Sequence, residues 1–309
     1  MIIFNGSYSK ERKNGRIGVK KVVVILLSLL VAFQFIAAQE KKVLNAEAGQ
    51  AFNSGLDLAK KQKYEQAIPK FKKALKAEPN FPDAHYMLGY CYKKLSRYKE
   101  AENEFKEAIK LDDKFSKAYV ALGKLQFAMD KRQEAINTFK AVLAFDPENI
   151  KANYELGRVY YEMKNYKTAQ GYLEKAIKIN PKYVSPYNML GLVLEQQKKY
   201  AAAAEAFQNA VNKEKKKSKK GTYYYRLGKV YLTMNKLKQA ESALLQALSL
   251  SRSSSIKAAS NFYLGETYKK MGQKQKALKY YSKAAKSSQW RQPAEYEIDM
   301  IKNPDKYAY

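Results

Sequence analysis

Residues 154–181 read YELGRVYYEMKNYKTAQGYLEKAIKINP, and the spacing within this stretch decides the fold. Gly157 follows Leu156, and twelve residues later stands Ala169. Leu173 comes four residues after that, Ala176 three further on, and Pro181 twenty-four residues after the glycine. Steps of four and three keep side chains on one face of a helix. Proline cannot continue a helix, so Pro181 ends the second one. The stretch predicts helix, turn, helix, with glycine and alanine where the two backbones approach closest.

Working outward, the same pattern recurs along the chain. FNSGLDL (52–58), YMLGYCY (86–92), VALGKLQ (120–126), YELGRVY (154–160), NMLGLVL (188–194), YRLGKVY (225–231) and FYLGETY (262–268) align without gaps. Their glycines are Gly55, Gly89, Gly123, Gly157, Gly191, Gly228 and Gly265; the first four intervals are 34 residues and the last two are 37. Each glycine is followed at twelve residues by an alanine (Ala67, Ala101, Ala135, Ala169, Ala203, Ala240, Ala277). At sixteen stands a large residue (Phe71, Phe105, Phe139, Leu173, Phe207, Leu244, Tyr281). Pro79 and Pro147 close their units as Pro181 does. A sustained period of 34 residues marks a repeat array and excludes a heptad coiled coil.

These residues closely resemble the tetratricopeptide repeat family: the L-G-x-x-Y of the first helix, the alanine and phenylalanine of the second, and the closing proline. The resemblance covers about residues 48–286. It implies an all-α fold, a right-handed α-solenoid of seven hairpins (48–81, 82–115, 116–149, 150–183, 184–220, 221–257 and 258–286). Residues 287–309 lie outside the period. A helix opened by Pro293, with Ala294, Ile298 and Ile301 on its apolar face, would cap the stack before Pro304. Departures are Ser54 for leucine, Gln126 for tyrosine, and Asp113, Lys215 and Arg252 where proline would stand. Pro69 falls early in a second helix, where the amide it removes is expected among the unpaired first-turn donors.

Upstream of the array, residues 1–21 hold six Lys and Arg against Glu11, and the apolar run VVVILLSLLVAFQFIAA follows from Val22 to Ala38. This is the pattern of a signal peptide, with cleavage expected after Ala38 and residues 39–47 as a linker; retained, the run would be a membrane anchor. On either reading the repeats lie outside the cytoplasm, in the periplasm if the source is bacterial.

Composition bounds the chemistry. The 309 residues contain 58 Lys and Arg, 29 Asp and Glu, one histidine (His85) and one cysteine (Cys91). A lone cysteine permits no internal disulfide and a lone histidine no histidine metal cluster. No nucleophile elbow, phosphate-binding loop or dinucleotide fingerprint appears, so the chain reads as non-enzymatic and needs no cofactor. The run KEKKKSKK (213–220) reads as an exposed linker.

Tetratricopeptide arrays grip extended peptides or helices on a concave face lined by their first helices. In this chain that phase selects Tyr86, Tyr90, Lys124, Phe127, Tyr154, Arg158, Tyr161, Tyr225 and Lys229, a stripe of aromatic and cationic side chains. Such a surface suits a protein segment with acidic and apolar residues. The excess of base adds a second expectation, an anionic envelope polymer or lipid headgroups; nucleic acid is disfavoured outside the cytoplasm.

Overall fold

The structure is a computed structural model, and it describes residues 46–307. The predicted signal or anchor segment and most of the linker fall outside these. Among the described residues there are fifteen α-helices and no strand. In chain order they are α1 Ala46–Lys60, α2 Tyr64–Ala77, α3 Pro82–Lys94, α4 Tyr98–Leu111, α5 Ser116–Ala128, α6 Arg132–Phe145, α7 Ile150–Glu162 and α8 Tyr166–Ile179. There follow α9 Val184–Gln196, α10 Tyr200–Lys213, α11 Lys217–Thr233, α12 Leu237–Leu250, α13 Ser254–Lys270, α14 Lys274–Ala284 and α15 Ser288–Lys302, with a closing 3-10 turn at Pro304–Tyr307. Helices α1 to α14 pair as seven antiparallel hairpins, each packed on the next, which is an α-solenoid.

The glycines explain how closely each pair nests. A Cβ added at Gly55 would lie 2.7 Å from the Phe71 ring, at Gly123 2.6 Å from Phe139, and at Gly157 2.6 Å from Leu173. The large residue therefore rests directly on the glycine, while the backbone of the alanine stands slightly farther off, at 3.2 Å for Gly89 and Ala101. All seven of these large residues are fully buried. Burying each contributes on the order of 2 kcal/mol.

Every first helix stops in the same way. Seven residues after each glycine the backbone turns to positive φ: +60° at Gln62, Ser96 and Lys164, +61° at Asp130, +59° at Lys198, +56° at Asn235 and +74° at Gly272. The Ser96 N–H donates to the Lys93 carbonyl at 3.1 Å, and the Arg97 N–H reaches back to Tyr92 at 2.9 Å. This closes the free carbonyls of a helix end with a left-handed residue, a place that favours glycine. Only the seventh unit supplies one.

Three expectations need correction. Pro69 is the sixth residue of α2, and the first backbone bond of that helix is Ala67 N–H to Lys63 O. It therefore removes an interior bond, not one of the unpaired first-turn donors. Pro293 does not open the last helix but sits inside α15, which begins five residues earlier at Ser288. The run 213–220 is not all linker: α11 starts at Lys217, so Lys217–Lys220 form its first turn. The longer 37-residue intervals are spent on longer first helices, 17 residues in α11 and α13 against 13 in α3, α5, α7 and α9. Unit boundaries move accordingly, from 221 and 258 to the starts of those helices.

The cap takes the place of a next first helix. Trp290 packs on Phe262 at 4.7 Å between ring centroids, as Phe81 packs on Phe52 at 4.7 Å and Phe115 on Tyr86 at 5.5 Å. Ala294 is fully buried, with Ile298 and Ile301 against the same cluster, which covers the apolar side of α14. Departures within the array are also accommodated. Gln126, in place of tyrosine, is buried and accepts a 2.7 Å hydrogen bond from Thr138 Oγ1. Helices α4, α10 and α12 end at the usual place although proline is absent there.

Candidate partner-binding groove

The first helices supply one face of the array, and a hollow lies across α3, α5 and α7. This cavity of about 560 Å³ is walled by Tyr86, Tyr90 and Lys93 of α3, Val120, Ala121 and Lys124 of α5, Glu155 of α7 and Tyr183 just before α9. Asn149, Ile150 and Lys151 form part of its rim. Of the residues selected from sequence, Tyr86, Tyr90 and Lys124 meet here.

The position three residues before each glycine is a seam between hairpins as well as a groove position. Tyr86 lies between Phe105 of its own unit (5.9 Å) and Phe115 of the next (5.5 Å). Tyr154 lies against Tyr183 at 5.6 Å. Burial raises the Tyr86 phenol and pushes Tyr154 up to about 12, because a phenolate would lose its water. Tyr86 lines the cavity as well, and both rings hold neighbouring units together.

Charge is distributed unevenly around the cavity. Glu155 is buried and meets Arg158 Nη1 at 2.6 Å and Lys124 Nζ at 3.3 Å. The Arg158 guanidinium also covers the Phe127 ring at 5.5 Å and the Tyr154 ring at 6.0 Å. Arg158 and Phe127 are thus engaged within the array. Lys93 is different: it is half-buried with no carboxylate within ion-pair distance among the described residues. Burial lowers the pKa of its ammonium, and the neighbouring Lys124 lowers it further, with partial relief from Glu155. Lys93, Lys117, Lys124 and Lys151 line the cavity against Asp146, Glu148 and Glu155, so it carries a single positive charge in excess, and Lys93 is the lysine left beside a lysine neighbour without an ion pair of its own.

The remaining selected residues stand farther along. Tyr161 packs on Tyr166 at 5.8 Å. Tyr225 packs on Tyr263 at 5.9 Å, and burial pushes its phenol up to about 12. Lys229 donates to Glu195 at 3.0 Å; burial opposes its charge, but that hydrogen bond prevails and the net shift is upward. Beside it Arg226 donates to Asn188 and is buried enough to lower its pKa. Arg226, two residues before its glycine, and Tyr183, eight before, were not selected from sequence. Both positions recur in phase, so the signal was the repeat itself, read at three positions when five face inward.

His85 and Cys91 have structural work. His85 Nδ1 lies 2.7 Å from Glu104 Oε2, tying α3 to α4. The Cys91 thiol is buried and pushed up to about 11, which keeps it from becoming a reactive thiolate. Among the described residues no three His, Cys, Asp or Glu side chains gather as metal ligands.

Comparison with known proteins agrees with this architecture. Two family models, both described as tetratricopeptide repeat, match residues 58–125 and 126–191, and residues 184–212, 221–254 and 258–289. The chain belongs to the tetratricopeptide repeat family. Among similar solved structures is the C-terminal part of a tetratricopeptide repeat-containing protein from Cytophaga hutchinsonii. It is 18% identical, has a TM-score of 0.63, and the match covers 80% of this chain and 99% of that one. The pilF protein of Pseudomonas aeruginosa matches at 20% identity and TM-score 0.59, over 68% of this chain and 94% of its own. MamA from Desulfovibrio magneticus RS-1 matches at 22% identity and TM-score 0.50, over 55% and 97%. At these identities the likeness is one of fold. No curated protein matches the chain. Tetratricopeptide arrays are non-catalytic protein-interaction folds, so this chain is a protein-binding scaffold in general terms.

Proposed function

We propose that the protein is a scaffold of the cell envelope that seats a partner segment, a peptide or helix carrying acidic and apolar residues, along its concave groove and so assists assembly of a complex. The observation that carries this reading is the cavity across α3, α5 and α7, where Tyr90, Val120 and Ala121 offer apolar surface beside Lys93, whose charge has no partner, and Lys124. An incoming carboxylate would relieve the repulsion between the two lysines, and an apolar side chain would cover the rings. The groove is built from helices already packed in the array, so the ordering cost of binding falls on the partner segment. A photo-crosslinking residue at Tyr90 in cells of the native host should trap a discrete set of partners that the same residue at exposed Lys140 of α6 does not. Equal adducts from both positions would remove the groove from the reading.

The envelope placement draws on the basic n-region and the apolar run Val22–Ala38. Sequencing the mature N-terminus tests it: Gln39 is expected if the segment is cleaved, Met1 if it is retained, and recovery of the chain in the cytoplasmic fraction would overturn it. No helix among the described residues is long and apolar enough to cross a membrane.

A second reading, binding of an anionic polymer or lipid surface by charge, is favoured by the excess of 58 Lys and Arg over 29 acids. Salt separates the two, since charge-driven binding falls steeply with ionic strength and groove capture falls only modestly.

A further inference from the structure

The excess of base is not spread along the array. Residues 213–286, the last two units, hold 19 Lys and Arg against 3 acids, whereas residues 46–212 hold 28 against 20. The three acids in the basic stretch are already engaged. Glu214 accepts the backbone N–H groups of Lys215 and Lys216, Glu241 accepts the Tyr268 hydroxyl at 2.5 Å, and Glu266 accepts the Tyr281 hydroxyl at 2.5 Å.

The fold gathers part of this charge on one edge. Antiparallel pairing sets the start of α11 against the end of α12, so closely that a Cβ on Gly221 would fall 2.6 Å from the Ser251 backbone nitrogen. The start of α13 follows directly. A cleft there is lined by Lys216, Lys217, Arg252 and Lys257 with Ser218, Ser249, Leu250 and Ser251, and no carboxylate lines it. Lys219, which pairs with Glu214 at 4.0 Å, and Lys220 continue the same first turn of α11. Like α5 and every other helix from α7 to α15, α11 and α13 carry no acid in the first turn, so nothing at these two helix starts offsets the cations.

We infer that this edge docks the array onto an anionic lipid bilayer through its headgroups. The inference rests on the second reading, binding by charge, and is independent of the groove. Three features select a bilayer over a nucleic acid. In residues 213–286 17 of the 19 cations are lysine, mobile point charges suited to diffusing headgroups and not to bidentate recognition of bases. The cleft is lined by lysine, arginine, serine and leucine, with no aromatic ring on which a base could stack. Retained as an anchor, the apolar run Val22–Ala38 would hold the chain at a membrane; cleaved as a signal, it leaves the chain in a compartment that a membrane bounds. Clusters of four to eight cations at a surface are sufficient for reversible adsorption to anionic lipid.

The test compares location with total charge. One variant of the full chain replaces Lys216, Lys217, Lys219, Lys220, Arg252 and Lys257 with Gln; a control replaces six cations of the first unit, Lys61, Lys63, Lys70, Lys72, Lys73 and Lys76, with Gln. Binding is measured by co-sedimentation with phosphatidylglycerol-containing vesicles, pure phosphatidylcholine vesicles and duplex DNA, with circular dichroism to verify helicity. The expected result is binding to the anionic vesicles that weakens on the order of 100-fold in the edge variant and several-fold at most in the control. Equal losses in the two variants would leave binding by charge intact and overturn the edge. Equal binding of the parent chain to neutral vesicles, or tighter binding to DNA lost in the edge variant, would overturn the lipid assignment. No binding of the parent chain to any anionic probe would remove the second reading itself.

Discussion

The middle of the array and its last two units are built on one plan but use it differently. Units 2 to 4 repeat every 34 residues and leave a cavity in which Lys93 has no acid to pair with. The sixth unit and its neighbour stretch the period to 37, lengthen their first helices, and close the inner face on itself, with Lys229 on Glu195 and Tyr225 on Tyr263. Their unspent charge lies on the edge instead. A solenoid can therefore move its reactive surface from groove to edge by adding one helical turn, without altering the contacts that hold each hairpin together.

The sharpest way to break this comparison is at the glycines. Gly221→Ala should cost the most, about 3 kcal/mol, because its Cβ meets backbone atoms of Ser251, in the α12–α13 connection, at 2.6 and 2.7 Å, and backbone must move to admit it. Gly89→Ala, in the middle of the array, should cost less, about 2 kcal/mol, since its Cβ meets the side chain of buried Phe105 at 2.9 Å and backbone, the Ala101 carbonyl, only at 3.2 Å. Urea unfolding followed by circular dichroism orders the two, and a reversed order would show that the lengthened hairpin is the looser one.

Alkaline titration probes the two regions together. Tyr154 and Tyr225 are both held up to about 12, above the usual phenol value of 10. In that window the folded chain keeps protons that the unfolded chain releases, so stability is full below about pH 10 and declines toward 12. Each of Tyr154→Phe and Tyr225→Phe should flatten that decline in the urea midpoint, by similar amounts; an unchanged slope would mean the rings are wetter than the packing indicates.

A smaller effect lies in the turns. Lys164→Gly, at φ +60°, should raise stability by about 0.5–1 kcal/mol, and Gly272→Ala, at φ +74° with open space around it, should lower it by about 1 kcal/mol. Smallest is Lys217→Glu, which places an acid in the first turn of α11 and should add about 0.3–0.5 kcal/mol at low salt. Gln66→Glu in α2, whose first turn already has Glu65, should add less.

Much of the groove was legible in advance because the repeat is a ruler. Once seven glycines are in phase, a residue at a fixed offset must face the same way in every unit, so Tyr86, Tyr90 and Lys124 could be placed together without coordinates. What the ruler cannot report is occupancy. That Arg158 is engaged by Glu155, Phe127 and Tyr154 while Lys93 is left over depends on side chains from three helices. The lysine run from 213 misled for a related reason: exposed charge reads as a linker, but here α11 is held from Gly221 onward by its contact with α12, and its first turn propagates backward through Lys217.

The sequence by itself determined the number of hairpins, their register and the small residues at each crossing, because these are periodic and local periodicity fixes which side chains share a face. Only the tertiary structure decided where charge remains unpaired, in the α3–α5–α7 cavity and along the edge at α11 and α13. Pairing depends on distances between residues up to 38 positions apart, as between Asn188 and Arg226, and no spacing along the chain encodes which of several candidate partners a side chain will reach.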